Sequence, residues 1–238
     1  MEGIYLYGIV NLPPSLSLDL IGLGEKAVYL IPYLDLAAVV SDSPLRPYPI
    51  EMENAAVHET VVEAVMLSQT ILPMRFNTIL GSRERVLSML AEHYEAFQAD
   101  LLRLKGKVEM GLKVIWENRP DINGSRFTVH GSRFEGHGPG QRFLLTKWAE
   151  HVITEAIRDE GEGLIKRIQA SLVPLSTENA LHPFPTKKLL LDAAYLVEER
   201  NQKAFHAGVE KLVGEMPDLH FLLTGPWPPY SFVRISKG

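Results

Sequence analysis

Histidine beside a carboxylate is the first pattern in this chain with chemical potential. It occurs at His58-Glu59 and, one helical turn apart, at His151 and Glu155. A zinc-protease helix needs two histidines four residues apart with a glutamate next to the first, and Val62 stands where the second would be. His151 and Glu155 supply two ligands where a metal site needs more, so an exposed pair on a helix is the better reading. Gly22-Leu23-Gly24 starts like a dinucleotide loop, but Ala27 holds the third glycine position and a strand follows instead of a helix. Gly106-Lys107 lacks the upstream glycine and the Ser/Thr of a phosphate loop, and no Gly-x-Ser-x-Gly elbow occurs.

Cysteine is absent, which removes disulfides, thiolate nucleophiles and cysteine-held zinc or iron–sulfur centres. No catalytic, cofactor-binding or metal-binding residue is therefore assigned, and the chain reads as a non-enzyme without a cofactor. Basic residues number 24 against 29 acidic ones, a net charge of −5, which fits neither a nucleic-acid binder nor a binder of anionic membranes. The opening MEGIYLYGIV has no basic n-region, and no apolar run approaches the roughly 18 residues of a spanning helix, so the expectation is a cytoplasmic protein.

Three segments hold unusual residues without catalytic logic. Gly124-Ser125-Arg126-Phe127 repeats as Gly131-Ser132-Arg133-Phe134 within a loop at 117–140, and Arg142-Phe143 echoes it. Arginine beside an aromatic clamps phosphate and stacks on a base, so single-stranded RNA is one reading; a surface loop that meets a protein partner is the other. Leu72-Pro73-Met74-Arg75-Phe76 places Arg75 on an expected strand, where Glu59 or Glu63 could pair with it. In Gly225-Pro226-Trp227-Pro228-Pro229-Tyr230-Ser231-Phe232, three prolines set a rigid exit from a strand. Its Trp227, Tyr230 and Phe232 either fold back onto the sheet or are presented outward to a partner.

The elements that position these residues follow from period and punctuation. Residues 3–10 read as a strand, 26–31 and 36–40 as a hairpin, 51–68 as a helix with Val57, Val61, Ala64 and Val65 inward, and 72–80 as a strand. Ser82 caps a long helix with the stripe Leu87, Leu90, Tyr94, Phe97, Leu101 and Leu104, and Gly106 ends it. Val108, Met110, Leu112, Val114 and Trp116 alternate as a strand. Then come a helix on Leu145, Trp148, Val152 and Ala156, interrupted near Gly161 and Gly163, and a strand at 170–175. A strand at 188–197, a helix at 202–213 with Phe205, Val209, Leu212 and Val213 inward, and a strand at 219–224 finish the chain.

At 238 residues and 46% hydrophobic content, two α+β domains are expected. Residues 1–106 form an N-terminal domain that ends in the long amphipathic helix, and residues 107–238 form a C-terminal one. The order β-α-β-β-α-β of the latter is ferredoxin-like. The former reads as a modified ferredoxin-like α/β sandwich, its first helix replaced by the segment around Ser17–Ile21.

Several of these segments together resemble the gas vesicle protein GvpL/GvpF family. They are Tyr5-Leu6-Tyr7-Gly8-Ile9-Val10, the His58 helix leading to Leu72-Pro73-Met74-Arg75-Phe76, Gly138-Pro139-Gly140-Gln141, Ala193-Ala194-Tyr195-Leu196-Val197 and the Gly225–Phe232 string. The last is the most specific. The resemblance implies an accessory or minor structural protein of gas vesicle assembly, associated with gas vesicles, without enzymatic activity. Its expected partners are the small hydrophobic shell protein and other accessory gas vesicle proteins. The motif residues Arg75, Phe76, Gly225, Pro226, Trp227, Pro228, Pro229, Tyr230 and Phe232 then serve structure or partner binding. Two other readings stand beside it: a ferredoxin-like small-molecule binder or enzyme, and RNA binding through the Arg-Phe loop.

Overall fold

A computed structural model describes residues 2–12, 18–117, 139–182 and 188–234, with 139–150 and 153–154 given by backbone alone. The Gly-Ser-Arg-Phe repeat lies outside the described residues. The fold is mixed α/β with two antiparallel sheets. The chain divides into two compact units, Met1–Gly111 with Ala194–Arg200 and Thr224–Gly238, and Leu112–Ala193 with Asn201–Leu223.

The first sheet is built on β1 (Glu2–Asn11), whose β-branched and aromatic residues are buried from Gly3 to Val10. The hairpin β2 (Val28–Tyr33) and β3 (Leu36–Pro44) pairs along one side of it, and β4 (Ile71–Pro73) and β5 (Ile79–Leu80) along the other. A register shift between Leu6 and Gly8 makes Tyr7 the extra residue of a bulge. Tyr5 and Tyr7 both end up in the cluster formed with Val61, Val62 and Val65 of α1 (Met52–Met66). Of the inward set expected on α1, Val61 and Val65 are buried, Val57 and Ala64 are half-buried, and His58 and Val62 complete the buried stripe.

The expected strand at 72–80 is two short strands separated by a turn in which Asn77 takes φ +68°. The expected long helix is also two, α2 (Arg83–Glu92) and α3 (Tyr94–Leu104), because His93 leaves helical geometry between them. Sequence period misses the break since the apolar stripe runs on across it. Val86, Leu90, Phe97, Leu101 and Leu104 are buried, so the stripe is core and not a free coiled-coil seam. Ser82 caps α2 as anticipated, its hydroxyl accepting from the Arg85 amide at 3.4 Å.

The second sheet comprises β6 (Lys107–Ile115), β7 (Glu178–Leu181), β8 (Leu189–Glu198) and β9 (His220–Trp227), in the order β7-β8-β6-β9. Relative to chain order this is second-third-first-fourth, and the first sheet threads β2-β3-β1-β4 in the same way. The alternating residues of β6 from Val108 to Trp116 are all buried.

In the second unit, α4 (Pro139–Leu172) runs unbroken through Gly161 and Gly163, and Pro139 opens it. Among its described residues Ile157, Gly161, Ile168 and Leu172 are buried, whereas Val152 and Ala156 are exposed. The side chains of Leu145 and Trp148 lie outside the described residues. The strand expected at 170–175 is the end of α4 followed by a 3-10 turn, Val173–Leu175; a short apolar run fits helix or strand equally until its neighbours decide. α5 (Gln202–Glu215) buries Phe205, Val209 and Leu212, but Val213 points outward at 47% exposure.

Candidate functional site

Helix α1 brings His58 into the core of the first unit because 58, 61, 62 and 65 share one helical face. The Tyr5 hydroxyl meets His58 Nδ1 at 3.0 Å, and His58 Nε2 faces the Met74 carbonyl at 3.1 Å and the Tyr230 hydroxyl at 3.2 Å. Asn77 donates its amide to the Tyr5 hydroxyl at 2.9 Å, and its own side chain clamps the Tyr48 backbone with bonds of 2.8 and 2.9 Å. The Phe76 ring stands edge-on to His58 and Tyr5, and Tyr48 edge-on to Tyr5. The Tyr7 hydroxyl pairs with Ser41 Oγ at 3.0 Å and accepts the Leu23 amide at 2.9 Å. Gly22 is required there, since a Cβ would lie 2.1 Å from that hydroxyl.

These partners dictate the protons. A carbonyl only accepts, so Nε2 of His58 carries the hydrogen toward Met74 and Tyr230, and Nδ1 accepts from Tyr5. Burial pushes the His58 pKa down to about 4, against the smaller upward pull of the Met74 carbonyl. The hydroxyls of Tyr5, Tyr7 and Tyr230 are driven up, burial first, and for Tyr230 the Glu59 charge second. Glu59 is raised by burial and then by Glu63, while the Tyr230 hydroxyl beside it favours the anion. Its Oε2 is buried with no hydrogen-bond partner.

A second set of bonds fastens the aromatic turn. Buried Asp100 pairs with Arg103 at 2.8 Å and accepts the Arg234 amide at 2.9 Å, and Arg103 also donates to the Phe232 carbonyl at 2.5 Å. Glu109 accepts from the Ser231 amide at 2.8 Å and hydroxyl at 2.7 Å. Gly225 takes φ +109° where a Cβ would sit 2.7 Å from the Glu109 carbonyl, a position only glycine fills. Pro228, Pro229 and Phe232 are buried and Tyr230 is half-buried, so the turn folds largely inward; Pro226 is exposed and Trp227 is 41% exposed.

The expected ion pair of Arg75 with Glu59 or Glu63 does not form: Arg75 is exposed, and among the described residues no carboxylate pairs with it. Glu155 pairs with Arg158 at 2.7 Å instead of with His151. Segments singled out in the sequence meet at His58: Tyr5 and Tyr7 from the opening strand, Met74 and Phe76 from Leu72–Phe76, Tyr230 from the Gly225–Phe232 string, and the helix itself. Spacing alone misses the joining of Tyr5, His58 and Tyr230; two tyrosines at period two on an otherwise apolar strand are the one available signal that buried hydroxyls need partners.

The cluster is closed on itself. The two larger hollows of the first unit, about 610 and 500 Å³, are lined by other residues, such as Lys26, Asp42 and Ser82 in the former and Met66, Gln69 and Lys105 in the latter. Among the described residues no group of three or more His, Asp or Glu is placed to hold a metal ion, and no helix is long and apolar enough to cross a membrane.

Comparison with known proteins agrees across the whole chain. Gas vesicle protein F1 of Halobacterium salinarum is 27% identical over 100% of this chain and 95% of its own length. Gas vesicle protein F2 of the same organism is 29% identical over 99% and 94%. Gas vesicle protein F of Nostoc sp. is 25% identical over 99% of both. In fold, the crystal structure of the gas vesicle protein GvpF from Anabaena sp. superposes with a TM-score of 0.84 at 23% identity, covering 99% of this chain and 100% of that one. That of GvpF from Microcystis aeruginosa gives 0.78 at 21%, covering 98% and 99%. Residues 3–234 match the family described as gas vesicle synthesis protein GvpL/GvpF, and the chain belongs to that family.

Proposed function

We propose that this protein acts in gas vesicle formation by binding other proteins, above all the small hydrophobic shell protein and secondarily other accessory gas vesicle proteins, and catalyses no reaction. The observation that carries the reading is the family match over residues 3–234. The site geometry supports it: Tyr5, His58 and Tyr230, whose protonation is displaced, bond one another, and neither they nor Glu59 line either of the larger hollows. They make a structural lock that joins the start, middle and end of the chain.

A shell subunit with large apolar faces must be kept from aggregating until it enters the growing wall. The terminal strands of the two sheets offer edges to which such a chain can add. The α2–α3 stripe is buried and offers no such surface. Among the motif residues, exposed Arg75 and partly exposed Trp227 are assigned to partner contact, and Phe76, Gly225, Pro228, Pro229, Tyr230 and Phe232 to holding them in place. We read both halves as ferredoxin-like, the first lacking its first helix; the shared second-third-first-fourth strand order supports this. The working location is the cytoplasm, at gas vesicles.

The test is co-purification of tagged protein with the purified small shell protein, wild type against Trp227→Ala. Capture by wild type and its loss in the folded variant is the expected result. Absence of capture by wild type would remove the direct shell-binding role.

A further inference from the structure

Helix α1 turns its core face inward, and its outer face combines exposed apolar ends with acidic residues between them. Met52, Ala56, Glu59, Glu63 and Leu67 lie along it at spacings of four, three, four and four. The three most exposed large apolar side chains among the described residues are Ile50 at 92%, Leu67 at 87% and Met52 at 84%. All three stand at the two ends of this one helix. Exposed apolar groups gathered in this way mark interaction surfaces, whereas scattered ones do not.

The charge between them is one-sided. From Pro47 to Met74 the chain has no lysine or arginine, while Glu51, Glu53, Glu59 and Glu63 are all acidic. None of these four carboxylates forms an ion pair among the described residues, including with Arg75. Glu59 and Glu63 are half-buried, and Glu59 keeps a buried oxygen without a partner. A solvated helix face ordinarily intersperses both signs; this one carries only acidic charge between two apolar ends.

From this juxtaposition we infer that the outer face of α1 is a docking site for a basic amphipathic helix of a partner protein. That helix carries apolar residues about 22 Å apart, the axial distance from Met52 to Leu67 at 1.5 Å per residue, with lysine or arginine between them. Its cations meet the acidic face at Glu63, and its apolar ends cover Met52 with Ile50 at one side and Leu67 at the other. Because Glu59 adjoins Tyr230, the docked cation also favours the anionic carboxylate that the Tyr230 hydroxyl supports. The inference rests on the protein-binding reading above and names the surface and chemistry of the partner.

Two probes test it by calorimetry: the purified gas vesicle proteins, and a synthetic 18-residue helix of leucine and lysine beside its leucine–glutamate counterpart. The proteins are wild type, Glu63→Lys and Met52→Ser/Leu67→Ser, each checked for an unchanged melting temperature. Met52 and Leu67 are exposed and Glu63 is half-buried, so the unchanged melting temperature is the control on folding. Expected is binding of the leucine–lysine helix and of at least one gas vesicle protein, weakened about tenfold or more in either variant and by salt, with no binding of the leucine–glutamate helix. If wild type binds gas vesicle proteins and both variants bind them equally well, the face is overturned and the protein-binding reading stands. If the leucine–lysine helix binds at this face and no gas vesicle protein binds at all, the reading falls and the face stands. Variants that alter only the protein's self-association would make the face an interface between copies, which overturns the basic-helix partner.

Discussion

Tyr230 reaches His58 across 172 residues of chain, its hydroxyl 3.2 Å from Nε2. Met74 receives the same N–H, and Tyr5 closes the other side of the ring, so four distant pieces of sequence are held by one imidazole. A neutral histidine has one donor and one acceptor, and here both are used; the cluster has no spare capacity for error.

Removing a hydroxyl from this set leaves buried groups unmatched. Tyr5→Phe strips both the His58 Nδ1 and the Asn77 amide of their partner, and the expected loss is about 2–3 kcal/mol in urea unfolding. Tyr230→Phe, which spares the Met74 bond to Nε2, costs about 1 kcal/mol. A double-mutant cycle of Tyr5→Phe with His58→Gln should return a coupling energy clearly different from zero, and strict additivity would show that the two residues act apart.

Acid stability follows from the buried His58. Its folded pKa lies near 4 against an ordinary 6.5, so between those values the unfolded chain takes up a proton that the folded one refuses. The contribution is fully present above pH 6.5 and is lost as pH falls toward 4, in all about 3 kcal/mol. Glu59 acts with the opposite sign, since its pKa is raised in the fold: its contribution is greatest at acid pH and declines as pH rises through its folded pKa. Urea midpoints should therefore drop from pH 6.5 to 4 in wild type and drop less in His58→Gln. Equal slopes in the two proteins would mean that His58 is not held neutral.

Asp100 is buried and holds both Arg103 and the backbone of Arg234. Asp100→Ala removes the buried carboxylate that Arg103 and the Arg234 amide share, and about 3 kcal/mol should be lost. Limited proteolysis should then cut the chain after residue 227 earlier than in wild type, because the strap over Phe232 and Arg234 has been released.

Trp227 and Phe232 should separate binding from folding. Phe232 is 6% exposed, and Phe232→Ala should cost about 3 kcal/mol, whereas Trp227 at 41% exposed should cost under about 1 kcal/mol as alanine. If Trp227→Ala unfolds the protein to the same extent as Phe232→Ala, its ring is structural and not offered to a partner.

Leu90 and Phe97 are fully buried. The double change Leu90→Glu/Phe97→Glu should abolish the cooperative melting transition by circular dichroism, because two carboxylates would enter the core without partners. A folded double variant would mean that the stripe faces solvent.

Much of this protein was legible in its residues. Residue type on β1, period two on β6 and the helical period of α1 and α5 depend only on which side chains avoid water, a property each residue carries by itself, so Tyr5, Val61, Val114 and Phe205 were legible as core, while Val213, expected inward, lies outward. The absence of catalytic signatures and the motif segments were likewise visible. What chain order could not reveal was where continuous patterns break or persist: the stripe from Leu87 to Leu104 hides the interruption at His93, and the glycines at 161 and 163 do not interrupt α4. Nor could it reveal the lock. Tyr5, His58, Met74 and Tyr230 became one hydrogen-bonded group only when the strand bulge at Tyr7, the inward turn of α1 and the strap of the final residues brought donors within 3.2 Å of acceptors. Hydrogen bonds are short-ranged and directional, so partners far apart in sequence are decided by tertiary structure alone.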